Sequence, residues 1–497
     1  MTMTSLYDQR EQDWRMGAVV YQVLVDRYAP SANLEGKRRL YAEPKTLHAW
    51  SEVPRRGAFL DEQQLWSQEV AFWGGDLASL QAKLDHVQQL GADVLYLNPI
   101  CHAYTNHKYD ALDYKAVSPE YGTRDDVKRL AAELHRRGMR LVLDGVFNHM
   151  GRNAPIFQEA LAGGAHRDWF VFGDRYPSGA RSWWGAANLP ELNLENPAVR
   201  AHLWGEPDSV VRGWLRDGID GWRLDVAFDI GPQFLAELTQ AAHEQKPGSL
   251  VVGEIPNFPQ AWIPSVDGVM HFGLRRILLA MADGRLDGQT AARMIGRIVA
   301  DTGIEGMLRS WVYLDNHDTE RQATVVPDER RRRVAQVLQF TLPGTVNLYY
   351  GSEVGMTGGE DPEMRAPMRW DLVEQGHPQL AWTQRLVALR REHRALRIGD
   401  FRTLESRELL AFERHTDRAL DSVFVVANPQ PREVQEWLLV TNSHVMDGSH
   451  FVDLLGQVAP VTCHSALVPI NVPAHTVVVL KHQDARTDGY SNYKRVP

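Results

Sequence analysis

The amino-acid sequence predicts an α/β protein: a (β/α)8 TIM barrel with a small subdomain inserted after the third strand and a C-terminal all-β sandwich domain. Over the first two-thirds of the 497 residues, eight short apolar runs alternate with amphipathic stretches. Beyond about residue 399 the pattern changes to short β-rich runs separated by Asn, Pro, Gly and Asp. Because eight successive β/α units imply parallel strands with right-handed crossovers, a closed barrel is the simplest architecture.

The first apolar run is β-branched and is bounded by Gly17 and Asp26, as expected of a fully buried strand. Leucine and valine then recur at three- and four-residue steps over Leu77–Leu90, which predicts one helix ending at Gly91, and a second helix is predicted at Asp125–Arg137. The predicted barrel strands are Ala18–Val25, Asp93–Ile100, Arg140–Phe147, Ile219–Ala227, Leu250–Glu254, Gly268–Phe272, Trp311–Asp315 and Val346–Tyr350. The predicted sandwich strands are Leu409–Phe412, Ser422–Ala427, Glu436–Thr441, Ala466–Ile470 and Thr476–Leu480.

Domain boundaries follow from these patterns. Residues 1–148 and 205–398 form the predicted barrel, 149–204 the inserted subdomain, 399–482 the sandwich, and 483–497 a polar, loosely held tail. The interval between the third and fourth strands is too long for one helix and is rich in aromatic residues. Since long loops inside compact domains are usually functional, we place this subdomain over the barrel mouth.

Composition excludes several classes of protein. Lys plus Arg is 54 and Asp plus Glu is 63, so the formal net charge is −9, without a long basic run. Binding to nucleic acid or to an anionic membrane is therefore not expected. The two cysteines, Cys101 and Cys463, cannot supply a disulfide framework, and the polar N-terminal segment is no secretory signal. We expect a cytoplasmic protein.

Charged side chains cluster at the predicted C-terminal ends of four barrel strands, where barrel enzymes carry their catalytic groups. Charges in such apolar strands are costly unless they are paired or used. Three carboxylates with an arginine fit retaining glycoside hydrolysis, whereas the sequence has no Gly-rich phosphate loop and no HExxH zinc helix. Metal ligation by His149, His317 and Asp225 is an alternative without supporting ligand spacing. The strand ends read Asp144-Gly-Val-Phe-Asn148-His149, Gly221-Trp-Arg223-Leu-Asp225, Gly253-Glu254 and Asp315-Asn-His317-Asp318.

These four segments, in this order, resemble the four short regions of the α-amylase family of glycoside hydrolases. The resemblance implies Asp225 as the nucleophile, Glu254 as the acid/base and Asp318 as the stabiliser of the transition state. For a retaining enzyme, the carboxyl carbons of Asp225 and Glu254 are expected to lie about 5 to 5.5 Å apart. No metal ligand and no required cofactor are expected.

The resemblance also implies residues that bind the sugar, and the substrate that they bind is an α-glucan oligosaccharide. Tyr109, in Asn106-His-Lys-Tyr-Asp110, matches a tyrosine that stacks on the sugar ring. Asp361 and Arg365 match a pair that holds the next sugar on the non-reducing side. The complete set of predicted substrate-binding residues is Tyr109, Asp110, His149, Arg223, His317, Asp361 and Arg365.

Phe72–Leu77, Thr105–Asp110 and Gly221–Ala227 resemble the cyclomaltodextrinase, neopullulanase and maltogenic amylase group, and Leu189–Asn193 resembles that group's fifth region. We therefore expect hydrolysis of α-1,4 bonds in short or cyclic maltodextrins, with some transglycosylation. A glucosyl-transferring enzyme or α-glucosidase of the same family, acting on maltose, trehalose or sucrose, is the alternative. A non-catalytic carbohydrate-binding protein is a remote one, because such relatives lose triad carboxylates that this chain keeps.

Three features of this sequence differ from that group and bear on the oligomeric state, the choice of acceptor and calcium binding. The first strand begins near residue 18, so the group's N-terminal β module is not expected, and the choice between monomer and homo-oligomer stays open. The segment after the nucleophile ends in Phe228-Asp229 where the group has Asn-Glu, which predicts altered acceptor choice. Calcium also stays open: Asn148 matches a calcium-binding asparagine of the starch-cleaving amylases, whereas Asp229 replaces a histidine that those enzymes use.

Overall fold

A computed structural model describes residues 5–484 and 490–496. All eight predicted barrel strands are confirmed, most of them shorter than predicted because the strands end where the functional loops begin. They pair in parallel in the order β6-β5-β4-β3-β2-β1-β8-β7, and a parallel bridge between Met270 and Trp311 closes the barrel. The strands are β1 (Val19–Val23), β2 (Val94–Leu97), β3 (Arg140–Gly145), β4 (Gly221–Leu224), β5 (Leu250–Gly253), β6 (Gly268–Val269), β7 (Trp311–Val312) and β8 (Thr345–Tyr349).

Two apolar layers hold the barrel. Inward-facing side chains such as Val20, Tyr96 and Val252 fill its interior, so the barrel is a packed core and not a pore. Outward-facing side chains pack under the surrounding helices. The longer helices of the chain are Arg124–Arg136, Val210–Arg216, Pro232–Gln245, Phe272–Ala282, Gly288–Thr302, Glu329–Thr341 and Pro378–Glu392.

The predicted helix over residues 77–90 is two helices, Leu77–Gln81 and Leu84–Leu90, and the second ends at Gly91 in the left-handed conformation (φ 85°). The remaining helices are short connections. They are Leu6–Gln12, Val25–Tyr28, Leu34–Lys37, Pro155–Leu161, Pro197–Arg200, Ala227–Ile230, Ile304–Arg309, Gln322–Val325, Trp370–Glu374 and Arg394–Ile398.

Two segments extend the mouth of the barrel. Between β1 and its helix the chain makes a long excursion, over residues 29–76, that the sequence did not predict; it contains only very short elements. After β2 an antiparallel hairpin, Cys101–Ala103 with Ala111–Val117, carries the predicted Tyr109 segment in its loop. The inserted subdomain after β3 has no regular sheet; isolated bridges such as His149 with Glu191 tie it to the strand.

The C-terminal domain is the predicted sandwich. One sheet has the order β9-β10-β11-β16-β13-β14, and β12 pairs with β15 in the other. Arg414, fully buried, joins this domain to the barrel by donating to the carbonyls of Thr341 and Leu396. The strands are β9 (Asp400–Thr403), β10 (Leu410–His415), β11 (Val423–Asn428), β12 (Val434–Leu439), β13 (His450–Asp453), β14 (Val461–Thr462), β15 (Leu467–Val472) and β16 (Thr476–Gln483).

The predicted tail is not uniformly loose. Residues 485–489 and 497 lie outside the described residues, but Tyr493 is buried and its hydroxyl contacts Ser449 Oγ at 2.7 Å and His482 Nδ1 at 2.8 Å. Both cysteines are free thiols. Within residues 5–484 and 490–496, no helix combines the length and apolarity that crossing a membrane requires.

Candidate active site

Arg223, at the end of β4, is the centre of the charged cluster in the barrel mouth. Its side chain is fully buried, and its Nη1 lies 2.9 Å from Oδ1 of both Asp144 and Asp225. Its Nη2 lies 2.9 Å from Glu254 Oε2. One guanidinium thus holds three carboxylates from the ends of β3, β4 and β5, and the buried charges compensate one another.

Asp225 is the carboxylate that the barrel buries most effectively among the predicted triad, with 6% of the residue exposed. Burial raises the pKa of Asp225 well above its ordinary value, while Arg223 acts in the opposite direction. The ionised form that a nucleophile needs therefore depends on Arg223.

Glu254 contacts Val226, the residue that follows Asp225. Val226 has left-handed backbone angles (φ 47°, ψ 38°), a costly conformation for a β-branched residue. In this conformation its N–H donates to Glu254 Oε2 at 2.9 Å. Both contacts that Glu254 makes within the described residues go to Oε2, so Oε1 is the oxygen that remains for a transferable proton.

Asp318 lies across the mouth with Arg365 and His317. Its Oδ1 is 3.0 Å from Arg365 Nη2 and its Oδ2 is 2.9 Å from His317 Nε2. Partial burial acts to raise the pKa of Asp318. The neighbouring His317 and Arg365 outweigh this effect, so the pKa of Asp318 lies below its ordinary value. Arg365 also pairs with Asp361 at 3.1 Å, as expected for the predicted pair.

The Tyr109 and His317 rings are nearly parallel, with centroids 5.4 Å apart and an interplanar angle of 7°. The Gln22 amide donates to His317 Nδ1 at 2.9 Å, so a proton is assigned to Nε2, which faces the Tyr109 hydroxyl at 2.5 Å. That hydroxyl donates to Asp144 Oδ2 at 2.9 Å. The Tyr109 hydroxyl therefore contacts both Asp144, beside Arg223, and His317, beside Asp318.

A buried ion pair holds the loop that carries Tyr109. Lys108 has a positive φ of 65° and is fully buried, with its ammonium against Glu120. His107 pairs with Glu69 at 3.1 Å and accepts a hydrogen bond from the Tyr109 N–H. These groups orient the Tyr109 ring without facing the mouth themselves.

The carboxylate of Asp110 faces its own loop. It is buried and accepts hydrogen bonds from the backbone N–H of Tyr104 and from the N–H and hydroxyl of Thr105. All of these partners belong to the same loop. Asp110 therefore stabilises the loop, and its predicted contact with the sugar stays a prediction.

His149, after β3, is the predicted histidine with spare hydrogen-bonding capacity. Its ring is buried and stacks on Trp183 of the inserted subdomain, with centroids 5.7 Å apart. Neither ring nitrogen has a hydrogen-bond partner within the described residues. Burial lowers the pKa of His149 to about 3, so the ring is neutral and can bond to a sugar hydroxyl.

Calcium binding near Asn148 stays a prediction. The Asn148 carboxamide nitrogen is buried without a partner, and the nearby acid Glu191 is paired with Arg181 at 2.6 Å. Among residues 5–484 and 490–496, no group of three or more His, Cys, Asp and Glu side chains is arranged to hold a metal. Calcium prefers six to eight oxygen ligands, so no catalytic step is assigned to it here.

Several residues of the site were missed from the sequence. Gln22 and Tyr96, whose hydroxyl donates to Asp144 Oδ2 at 2.5 Å, lie inside buried strands, and Glu120 lies in a connecting segment. The sequence indicates Trp183 only as part of an aromatic-rich interval. Alternation of polar and apolar residues cannot identify such groups, because their partners come from other strands.

The comparisons with known proteins identify the family. The α-amylase catalytic-domain model matches residues 22–387. This chain belongs to the α-amylase family. It is a glycoside hydrolase of that family.

Similar proteins include a cyclomaltodextrinase from a Bacillus species, 32% identical over 84% of this chain and 73% of that protein. An intracellular maltogenic amylase from Bacillus subtilis is 32% identical over 77% of this chain, which spans 63% of that relative's length. Among solved structures, the cyclic α-maltosyl-(1→6)-maltose hydrolase from Arthrobacter globiformis superposes with a TM-score of 0.79 at 28% identity, covering 94% of this chain and all of that one.

Proposed function

We propose that this α-amylase family member is a retaining α-glycosidase. It would hydrolyse α-1,4-glucosidic bonds of maltooligosaccharides and cyclodextrins through a covalent glucosyl-enzyme intermediate, with some transglycosylation. The observation that supports this most directly is the buried Arg223, whose two terminal nitrogens each lie 2.9 Å from a carboxylate, Asp225 on one side and Glu254 on the other. Double displacement requires two neighbouring carboxyl groups, one as nucleophile and one as acid/base, and Arg223 brings two such groups to one place.

In the first step Asp225 attacks the anomeric carbon while Glu254 protonates the glycosidic oxygen. The proton leaves from Oε1, because Oε2 is engaged by Val226 and Arg223. The bond between the anomeric carbon and the leaving oxygen breaks as the bond to the Asp225 oxygen forms. In the second step Glu254 takes a proton from water, and that water displaces Asp225 from the sugar.

The surrounding residues would bind the sugar ring whose anomeric carbon gains positive charge in the transition state. Asp318, kept ionised by His317 and Arg365, provides a negative charge for the oxocarbenium-like transition state. Tyr109 offers its ring face to the pyranose, and the neutral His149 offers an unused nitrogen to a hydroxyl. Asp361 and Arg365 extend the cluster toward the non-reducing side.

The substrate class rests on similarity to relatives and on the residues that follow Asp225. Relatives named cyclomaltodextrinase and maltogenic amylase, and a solved hydrolase of a cyclic tetrasaccharide, support short or cyclic α-glucans. A cytoplasmic location is part of the proposal and is supported by the intracellular relative. Glucosyl transfer is the second candidate, and the Phe228-Asp229 segment near the leaving group favours it.

The nucleophile is tested with Asp225→Asn. Turnover of maltotriose should fall to background while folding and sugar binding persist. Asp220→Asn is the matched control, because Asp220 is also buried on the approach to β4 but pairs with Lys246 (2.8 Å) and His135 at the opposite end of the barrel. It should lose stability without losing turnover per folded molecule. Full activity of folded Asp225→Asn protein would refute the assignment.

The reaction is tested by product analysis with purified protein, using β-cyclodextrin, maltotriose, soluble starch and sucrose side by side. Proton NMR of early products should show retention, with the α-anomer released first. Release of the β-anomer would exclude the covalent intermediate. New glucosides from maltose or sucrose with little hydrolysis would identify the transferring enzyme instead.

A further inference from the structure

Trp184, on the inserted subdomain, is an aromatic side chain left in solvent. Its exposed fraction is 83%, larger than that of any other large apolar residue among residues 5–484 and 490–496. Its backbone is left-handed (φ 49°, ψ 26°), which is costly for a tryptophan. Exposure of an indole and backbone strain are both unfavourable for folding, so the fold offers no reason for either.

The segment that presents Trp184 is well ordered by hydrogen bonds. The Trp183 N–H donates to the Leu189 carbonyl at 3.0 Å, and the Gly185 and Ala186 N–H groups donate back to Ser182 and Trp183. Trp183 itself lies flat against His149, and its ring is 6.5 Å from that of Trp184. The Trp184 indole therefore lies next to Trp183, which in turn contacts His149 in the mouth of the barrel.

The neighbours of Trp183 show which side of the mouth this is. The Trp183 side chain lies near the carboxyl group of Asp229, four residues after Asp225. The same short segment begins with Val226, whose N–H contacts Glu254. Glu254 is the group that protonates the leaving oxygen, whereas Asp318, Arg365 and Asp361 form the other side. Trp184 thus borders the leaving-group side.

We propose that Trp184 is a stacking platform for a glucose ring of the leaving portion of an α-glucan, beyond the ring whose oxygen Glu254 protonates. The inference rests on the proposed function and adds to it a substrate preference: chains long enough to reach the platform are bound better than short ones. A sugar ring has an apolar face that packs on an indole, and the hydrogen-bonded segment fixes the backbone from which that indole projects.

The platform is tested by Trp184→Ala, measured with maltoheptaose and with maltose. The expected result is a KM for maltoheptaose that rises about tenfold, the factor lost with one buried aromatic contact, with kcat unchanged. The KM for maltose should change less than twofold, because maltose does not extend to the platform. Trp437→Ala is the matched control: Trp437 is 65% exposed on β12 of the sandwich, and its removal should change neither constant.

A binding measurement separates this inference from the proposed function. Calorimetric titration of Asp225→Asn with maltoheptaose should show binding, and the double variant Asp225→Asn/Trp184→Ala should bind about tenfold more weakly. Equal affinity in the two proteins would overturn the platform and leave the proposed function intact. Absence of binding to Asp225→Asn, with no turnover of any glucan by the wild type, would overturn both.

Discussion

Replacement of Arg223 by methionine tests whether one buried cation keeps the nucleophile ionised. Methionine fills much of the same volume but leaves Asp144, Asp225 and Glu254, which all lie 2.9 Å from the guanidinium, without their shared partner. Breaking a buried ion network by removing one member costs about 3–5 kcal/mol of stability. Burial, which raises the pKa of Asp225, would then act with much less opposition.

The expected catalytic effect follows from the sign of that shift. An adjacent cation lowers a carboxyl pKa by about 1–3 units, so its removal should move the acid limb of the pH profile of kcat/KM upward by about that amount. At pH values below the shifted limb, the rate should fall about tenfold for each unit by which the limb moves. The assay is hydrolysis of a chromogenic maltoside between pH 4 and pH 9, together with denaturant unfolding.

Arg390→Met is the matched control for this experiment. Arg390 is also fully buried, but its guanidinium donates to the backbone carbonyls of Gly17 (3.1 Å) and Phe340 (2.8 Å), on the N-terminal side of the barrel. It should lose stability without any movement of the acid limb. If Arg223→Met retained the wild-type acid limb, the proposed dependence of Asp225 on Arg223 would be refuted.

Two further predictions concern Glu120, which holds the Tyr109 loop, and His149, whose ring nitrogens have no hydrogen-bond partner within the described residues. Burial acts to raise the pKa of Glu120, but Lys108 and Lys45 bring it from 4.5 to about 2, so its stabilisation is complete above pH 4.5 and is lost as the pH falls toward 2. Glu120→Gln should therefore cost about 3 kcal/mol at pH 7 and flatten the acid dependence of unfolding; an unchanged dependence would exclude this pair as its source. His149→Gln should raise the KM for maltotriose about tenfold without altering the pH profile between 5 and 8, because His149 is already neutral there. A changed profile would mean that His149 titrates during turnover.

The sequence by itself determined the barrel architecture and the charged residues of its mouth. Buried parallel strands are continuous apolar runs, so all eight could be located, and charged residues at the ends of such runs are rare enough to identify the mouth. Asp225, Glu254 and Arg223 were found in this way. Their mutual contacts at the mouth follow from strand order, because neighbouring parallel strands bring their C-terminal ends to one edge.

The tertiary structure decided what each polar side chain contacts. Asp110 could not be distinguished from Tyr109 by position, yet one faces its own loop and the other faces the charged cluster. The left-handed angles of Val226 and Trp184 leave no mark in the sequence, because such angles are imposed by surrounding contacts on residues that do not favour them.

The spacing of apolar residues shows which face of its own strand or helix a residue occupies. It does not show which other elements pack against that face. The strand runs therefore determined the barrel, while the network around Arg223, the loop held by Lys108 and Glu120, and the exposed face of Trp184 depend on contacts between distant segments. Those contacts exist only once the barrel has closed.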